Sequence, residues 1–227
     1  MTLLKTLIIF PVCVFAAGQW HWVFWKIVDE SINEEVIIIR TLLYFVRHAE
    51  SPFFTGMEQS RGLSEKGKLD AGKVKDVLLN EHIDVLISSP YERAILTIKD
   101  LAIELNMDIR LEEGLRERQL TGKGHEITKE QFFESKRRVY EDRNYSFPGG
   151  ESSKQAQERA ISILNKILEE FKGKRIAIGT HGDIMTLMMN YFDPTYDFAF
   201  WKSTTMPDIY KLEFEENKLK HVTRLWN

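Results

Sequence analysis

The sequence contains a single cysteine, Cys13, in 227 residues. That excludes a disulfide framework and a thiolate metal site. An excess of charge is missing too: the formal net charge is −3, which argues against the broad basic footprint of a nucleic-acid binder. No internal repeat or low-complexity tract is found. An unbroken run of about 20 apolar residues, the length of a membrane-crossing helix, is also lacking. Residues 1–28 come nearest, but Lys5, Pro11, Gln19 and His21 interrupt them. What the chain does have is material for a core, with 43% hydrophobic and 29% charged residues. Disorder is not expected at that balance. A reducing, cytoplasmic setting is the simplest one.

The N-terminal 40 residues differ from the rest. Lys5 precedes an apolar stretch from Thr6 to Gly18, followed by Trp20, His21, Trp22, Phe24 and Trp25. Three readings compete. A basic residue, an apolar run and small residues near Ala16–Gly18 resemble a secretory signal. A membrane anchor would need the span stretched to Val28, with tryptophans as an interfacial belt. An extension upstream of the functional domain is the third. We therefore divide the chain into an apolar extension, 1–40, and a domain, 41–227; membrane contact is confined to residues 1–28.

From Thr41 onward, short apolar runs alternate with amphipathic stretches. Leu43–Val46 and Ile83–Ser88 read as strands, Arg175–Gly179 as a later one, and Met107–Leu111 as a further short one. Helices are expected from Ser64 to about Asn80, after Pro90, over 129–141, from Ser152 or Ser153 to Gly173, and over 184–191. In the long helix Ala156, Ala160, Ile163, Ile167 and Phe171 form the inward face. Residues 208–214 and 218–225 read as a closing hairpin. Strands alternating with helices imply an α/β fold: a mostly parallel central sheet with helices on both faces.

The stretch Leu43-Tyr44-Phe45-Val46-Arg47-His48-Ala49-Glu50-Ser51 organises the rest. Its apolar run suits a buried strand and stops abruptly at a cation and an imidazole. Two other strand ends carry matching signals. The second strand runs into Ser88-Ser89-Pro90, which puts Arg93 in the first turn of the next helix. The late strand ends in Thr180-His181-Gly182. Carboxyl ends of neighbouring parallel strands share one edge of the sheet, so two arginines and two histidines converge there. Guanidinium forks match phosphate oxygens, and the helix N-terminus after Pro90 offers backbone donors as well.

These blocks, together with Leu115-Arg116-Glu117-Arg118 and Gly149-Gly150-Glu151-Ser152, closely resemble the histidine phosphatase superfamily, the phosphoglycerate mutase-like group. Their order and spacing match from about Thr41 to the C-terminus. The resemblance implies that His48 is the nucleophile and passes through a phosphohistidine that water hydrolyses. It implies that Arg47, Arg93 and His181 clamp the phosphoryl oxygens, with Gly182 beside them in the substrate-binding set. Glu117 aligns with the family's general acid, although Glu112, Glu113 and Glu126 lie close by in sequence. A carboxylate beside a phosphate dianion is favoured in its protonated form, as that role requires. No metal or other cofactor is implied, because the cations take that part.

Two departures stand out. Phe54 occupies a position where the family often has asparagine, leaving Ser51, Thr55 or Gln59 as candidate donors to the phosphate. Ala49 replaces a common glycine. The segment between Glu117 and Gly149 is shorter than in cofactor-dependent mutases, which favours transfer to water over a mutase reaction. The expected ligand is a small phosphorylated metabolite; a mutase-type phosphotransferase and a catalytically silent phospholigand-binding module are the alternatives. Lys123, Arg137, Arg138 and Arg143 offer charge for a second anionic group, although a charge run is usually a solvated face; His125 follows Gly122-Lys123-Gly124 in a loop that could reach substrate, with a surface histidine the preferred reading. Oligomeric state is not legible.

Overall fold

The computed structural model describes residues 8–16, 19–27, 39–53, 56–125 and 127–226. The chain separates into two compact units, Met1–Ile37 and Ile38–Asn227.

In the first unit, β1 (Ile8–Ala16) pairs antiparallel with β2 (Gln19–Ile27), in register from Ile8 opposite Ile27 to Ala16 opposite Gln19. Where the sequence leaves signal, anchor and extension open, the described residues of this segment form strands, and among the described residues no helix is long and apolar enough to cross a membrane. The composition accounts for the strands. Val12, Val14 and Val23 with Trp20, Trp22 and Trp25 are strand formers. Pro11 breaks a helix yet is tolerated in an edge strand.

The second unit is built on a six-stranded sheet of order β5-β4-β6-β3-β7-β8. Its strands are β3 (Arg40–Arg47), β4 (Val85–Ser88), β5 (Ile109–Leu111), β6 (Arg175–Thr180), β7 (Asp208–Glu215) and β8 (Lys218–Arg224). The first four strands in that order run parallel, while β7 and β8 are antiparallel additions. β3 and β6 are therefore central, with Phe45 opposite Ile178 and Arg47 opposite Thr180.

Period-two alternation along β3 makes both faces of the sheet apolar. Leu43 and Phe45 pack with Ile176 and Ile178 against α4 (Ser153–Glu170) and α5 (Gly182–Phe192) through Leu164, Met185 and Met188. Tyr44 and Val46 face the opposite layer, α1 (Glu65–Leu79) and α2 (Glu92–Leu105), through Val74, Leu78, Ile98 and Leu101. A strand buried on both sides cannot continue past a charge, so β3 ends where Arg47 begins the site.

Local signals set the helix starts. Ser64 Oγ accepts the Gly67 N–H at the head of α1, and Ser152 forms a capping box with Gln155 at α4. α3 (Lys129–Glu141) has the same device in Thr128 and Gln131. The inward face of α4 differs in two places from the periodic reading: Leu164 is fully buried whereas Ile163 is partly buried against Gly114, and Phe171 is a partly buried C-cap beyond the helix. A short helix not expected from the sequence, α6 (Phe198–Ser203), is capped by Asp197. The Gly149-Gly150 turn has a steric cause: Gly149 has φ +69°, and a Cβ there would stand 2.7 Å from the Gly122 backbone.

Candidate active site

The carboxyl ends of β3, β4 and β6 bring Arg47, His48, Arg93 and His181 together, as neighbouring parallel strands require. The His48 and His181 rings lie 5.3 Å apart, edge to face. The His48 backbone N–H donates to the Thr180 carbonyl at 2.9 Å, which ties the residue after β3 to the end of β6. Its ring Nδ1 lies 2.8 Å from the Ala49 carbonyl. A carbonyl only accepts, so Nδ1 carries the proton and donates. Nε2 is then the nitrogen whose lone pair can attack.

His181 is oriented by the Ser89 hydroxyl, 2.7 Å from its Nε2. Both imidazoles are buried, and burial is the main reason their pKa values are held well below the ordinary histidine value. The Arg93 charge lowers both further, joined by Arg47 and Arg61. Both rings are thus neutral at working pH, the form a nucleophile needs.

A pH dependence of stability follows. In the unfolded chain both histidines take up protons as pH falls through about 6.5, while the folded protein resists protonation until well below that. Acidification therefore favours unfolding, by at most about 1.4 kcal/mol per pH unit for each histidine. Thermal melts at pH 7.5 and 5.5 check this: the lower pH should give the lower Tm, with both imidazoles still neutral by NMR. An equal or higher Tm at pH 5.5 would contradict it.

The two guanidiniums are held by different segments. Arg47 donates from Nη1 to the Thr204 carbonyl at 2.9 Å and also to the Thr204 hydroxyl. Its plane lies against Gly182, where a Cβ would come 2.7 Å from the guanidinium carbon. Gly182 thus makes room for Arg47. Arg93, 1% exposed, donates to the Glu58 carbonyl at 2.5 Å and to its carboxylate at 2.6 Å. Arg47 Nε, Arg93 Nε and His181 Nδ1 are buried and have no hydrogen-bond partner among the described residues. Buried polar atoms left without a partner are unusual, and the two guanidinium nitrogens suit an oxyanion.

Glu117 follows β5 and a single 3-10 turn, Glu113–Leu115, whose Leu115 is locked into the core. Its carboxylate caps α5, accepting N–H bonds from Asp183 at 3.3 Å and Ile184 at 3.0 Å, besides Arg118 N at 2.9 Å. Its charge acts on Arg47 and Arg93, which brings it to the same pocket. The helix N-terminus at the site is therefore that of α5. The expectation that the helix after Pro90 offers its donors is corrected in part, because Glu92 N donates to the Gln59 carbonyl at 2.9 Å.

The candidate donors near Phe54 fare differently. Ser51 Oγ donates to the Gly62 carbonyl at 2.6 Å and accepts from Arg61 at 2.7 Å, so it braces a loop. The Gln59 side chain is exposed. Phe54 and Thr55 lie outside the described residues, as does Glu126. Arg137 pairs with Glu134, Arg143 donates to Gln157 and Asn190, and Arg138 stacks on Tyr145 at 3.9 Å. These charges thus have partners within the chain. His125 is exposed and lines a cleft of about 480 Å³ with Thr121, Arg138 and Phe147, a cleft whose walls include none of Arg47, His48, Arg93 or His181.

Sequence reasoning missed three groups. Thr204 is 157 residues from Arg47 and carries no local signal. Arg61 and Glu58 lie in a segment read only as a loop. Behind Glu117, Asp183 is fully buried with Arg118 (Nε–Oδ2 2.8 Å), Lys136 and Tyr140 (2.7 Å) around it. Asp183 is held far below the carboxylate range: burial opposes its charge, but Arg118 and Lys136 outweigh that.

A profile of the histidine phosphatase superfamily (branch 1) matches residues 43–227. The chain therefore belongs to the histidine phosphatase superfamily and is an enzyme of the phosphatase class. It is 30% identical over 148 residues to phosphoserine phosphatase 1 of Hydrogenobacter thermophilus, spanning 61% of this chain and 70% of that protein. Among solved structures, Bacillus stearothermophilus YhfR superimposes with a TM-score of 0.67 at 22% identity, over 81% of this chain and 96% of that one. A mycobacterial glucosyl-3-phosphoglycerate phosphatase gives 0.65 at 18%, over 82% and 97%. These structures share the phosphoglycerate mutase-like fold expected from the sequence.

Proposed function

We propose that this chain hydrolyses phosphomonoesters of small metabolites through phospho-His48, without a metal. The observation that carries this reading is the meeting of Arg47, Arg93 and His181 with an imidazole whose Nδ1 is already committed. Two guanidiniums and an imidazole beside the His48 ring suit the equatorial oxygens of a phosphoryl group in transfer.

In the first step His48 Nε2 attacks phosphorus in line, and the bond from phosphorus to the ester oxygen breaks. Glu117 gives its proton to that oxygen, so the alcohol leaves neutral. In the second step water attacks the phosphohistidine, the P–N bond breaks, and the Glu117 carboxylate takes the water proton. Phosphate leaves and the neutral imidazole is restored. Arg47 and Arg93 supply the fixed positive charge that a metal ion would otherwise provide. The phosphoserine phosphatase named among the relatives supports a small phosphorylated substrate.

Glu117 is the most exposed part of this scheme to test. Glu117→Gln keeps the shape and removes the proton relay, so hydrolysis of an alkyl phosphomonoester such as β-glycerophosphate, whose leaving oxygen needs that proton, should fall roughly a hundredfold or more in the presence of EDTA. Activity within threefold of the parent would remove Glu117 from the acid role. Loss of the parent's own activity in EDTA would refute metal independence.

A further inference from the structure

Arg93 and Arg61 already hold an anion, and it belongs to the chain itself. Glu58 presents Oε1 to Arg93 Nη2 at 2.6 Å and to Arg61 Nη2 at 3.2 Å, while its Oε2 lies 3.2 Å from Arg61 Nε. One carboxylate thus engages two guanidiniums, in the forked geometry by which arginine binds carboxylate or phosphate. Both arginines act electrostatically on His48 and His181, so the carboxylate sits beside the reacting centre. We propose that Glu58 occupies part of the phosphate seat in the free enzyme and is displaced by the substrate's phosphoryl group, which makes it a determinant of phosphate affinity. This rests on the reading of Arg93 as a phosphate ligand.

The geometry allows the exchange without rebuilding the loop. The backbone around Glu58 is fixed: Arg61 N donates to the Met57 carbonyl and Glu92 N to the Gln59 carbonyl, each at 2.9 Å. Arg93 Nη1 donates to the backbone carbonyl of Glu58, not to its carboxylate. Rotation of the Glu58 side chain therefore releases Nη2 while that anchor keeps the guanidinium aimed. Arg61 retains its bonds to the Ser51 carbonyl and hydroxyl, at 3.2 and 2.7 Å. The mobile partner is the accessible one: the Glu58 side chain is 45% exposed against 1% for Arg93. A dianionic phosphoryl group gains about twice the Coulomb energy of a carboxylate from the same cations, so it displaces Glu58 at the cost of some affinity.

Calorimetric titration with inorganic phosphate, on the full chain, tests this with Glu58→Gln and Glu58→Ala beside the parent. Both substitutions keep the backbone carbonyl that anchors Arg93. Removing the competing charge should tighten phosphate binding about tenfold in each variant and lower KM for p-nitrophenyl phosphate in parallel. Unchanged or weaker binding in both variants overturns the inference and makes Glu58 a structural brace for Arg93, with the proposed function intact. Failure of the parent and both variants to bind phosphate at all overturns the phosphate pocket itself, and this inference with it.

Discussion

Replacing His48 with alanine should lower kcat for phosphomonoester hydrolysis by about ten-thousandfold, the scale on which losing a nucleophile acts. The expectation comes from the placement of the ring. Its Nδ1–H is committed to the Ala49 carbonyl, burial and Arg93 keep it neutral, and no other nucleophile is assigned to the attack. His181 is a poor substitute, because its Nε2 is engaged by Ser89. The variant should fold, since alanine in place of His48 leaves the backbone bond from residue 48 to Thr180 available. It should also still bind inorganic phosphate, because Arg47 and Arg93 remain. Steady-state kinetics alongside phosphate titration separates lost chemistry from a lost site.

The second large effect concerns stability. Asp183→Asn should destabilise the second unit by about 3–5 kcal/mol, the range seen when one member of a buried ion cluster is removed. Arg118 and Lys136 both direct their charge at this carboxylate and are themselves buried. The amide leaves two buried cations without a counter-charge. It also loosens the contact between α3, which carries Lys136 and Tyr140, and the start of α5, where Glu117 is bonded. For a domain of this size that corresponds to a Tm lower by roughly 10 °C. Differential scanning calorimetry measures it; a shift under about 2 °C would show that desolvation of the cluster cancels its attraction.

Much of this was legible in the sequence because the site is made at strand ends. Val46 must stop the buried wall, so Arg47 and His48 fall at the sheet edge, and the same logic sets His181 after β6 and Arg93 in the first turn of α2. The closing hairpin and helix α3 were legible for a similar reason, through turn residues and caps that act over three or four positions. Contacts between distant segments were not. Nothing near Arg47 signals Thr204, and nothing around Asp183 distinguishes a buried counter-ion from a surface acid. Glu58 and Arg61 looked like ordinary loop charges, since only the folded chain shows that they meet Arg93. For residues 1–28 composition left signal, anchor and extension open, and in the described residues 8–16 and 19–27 the strand propensity of the valines and tryptophans prevails.

The central claim is that phosphate passes through the His48 ring. Phosphohistidine survives base and is lost in acid, so an alkaline quench of the enzyme during turnover, followed by peptide mapping by mass spectrometry, tests it most directly. The phosphate should be found on His48 in the parent and be absent from His48→Ala. Phosphate on another residue, or a His48→Ala variant that still turns over and still labels, would contradict the account.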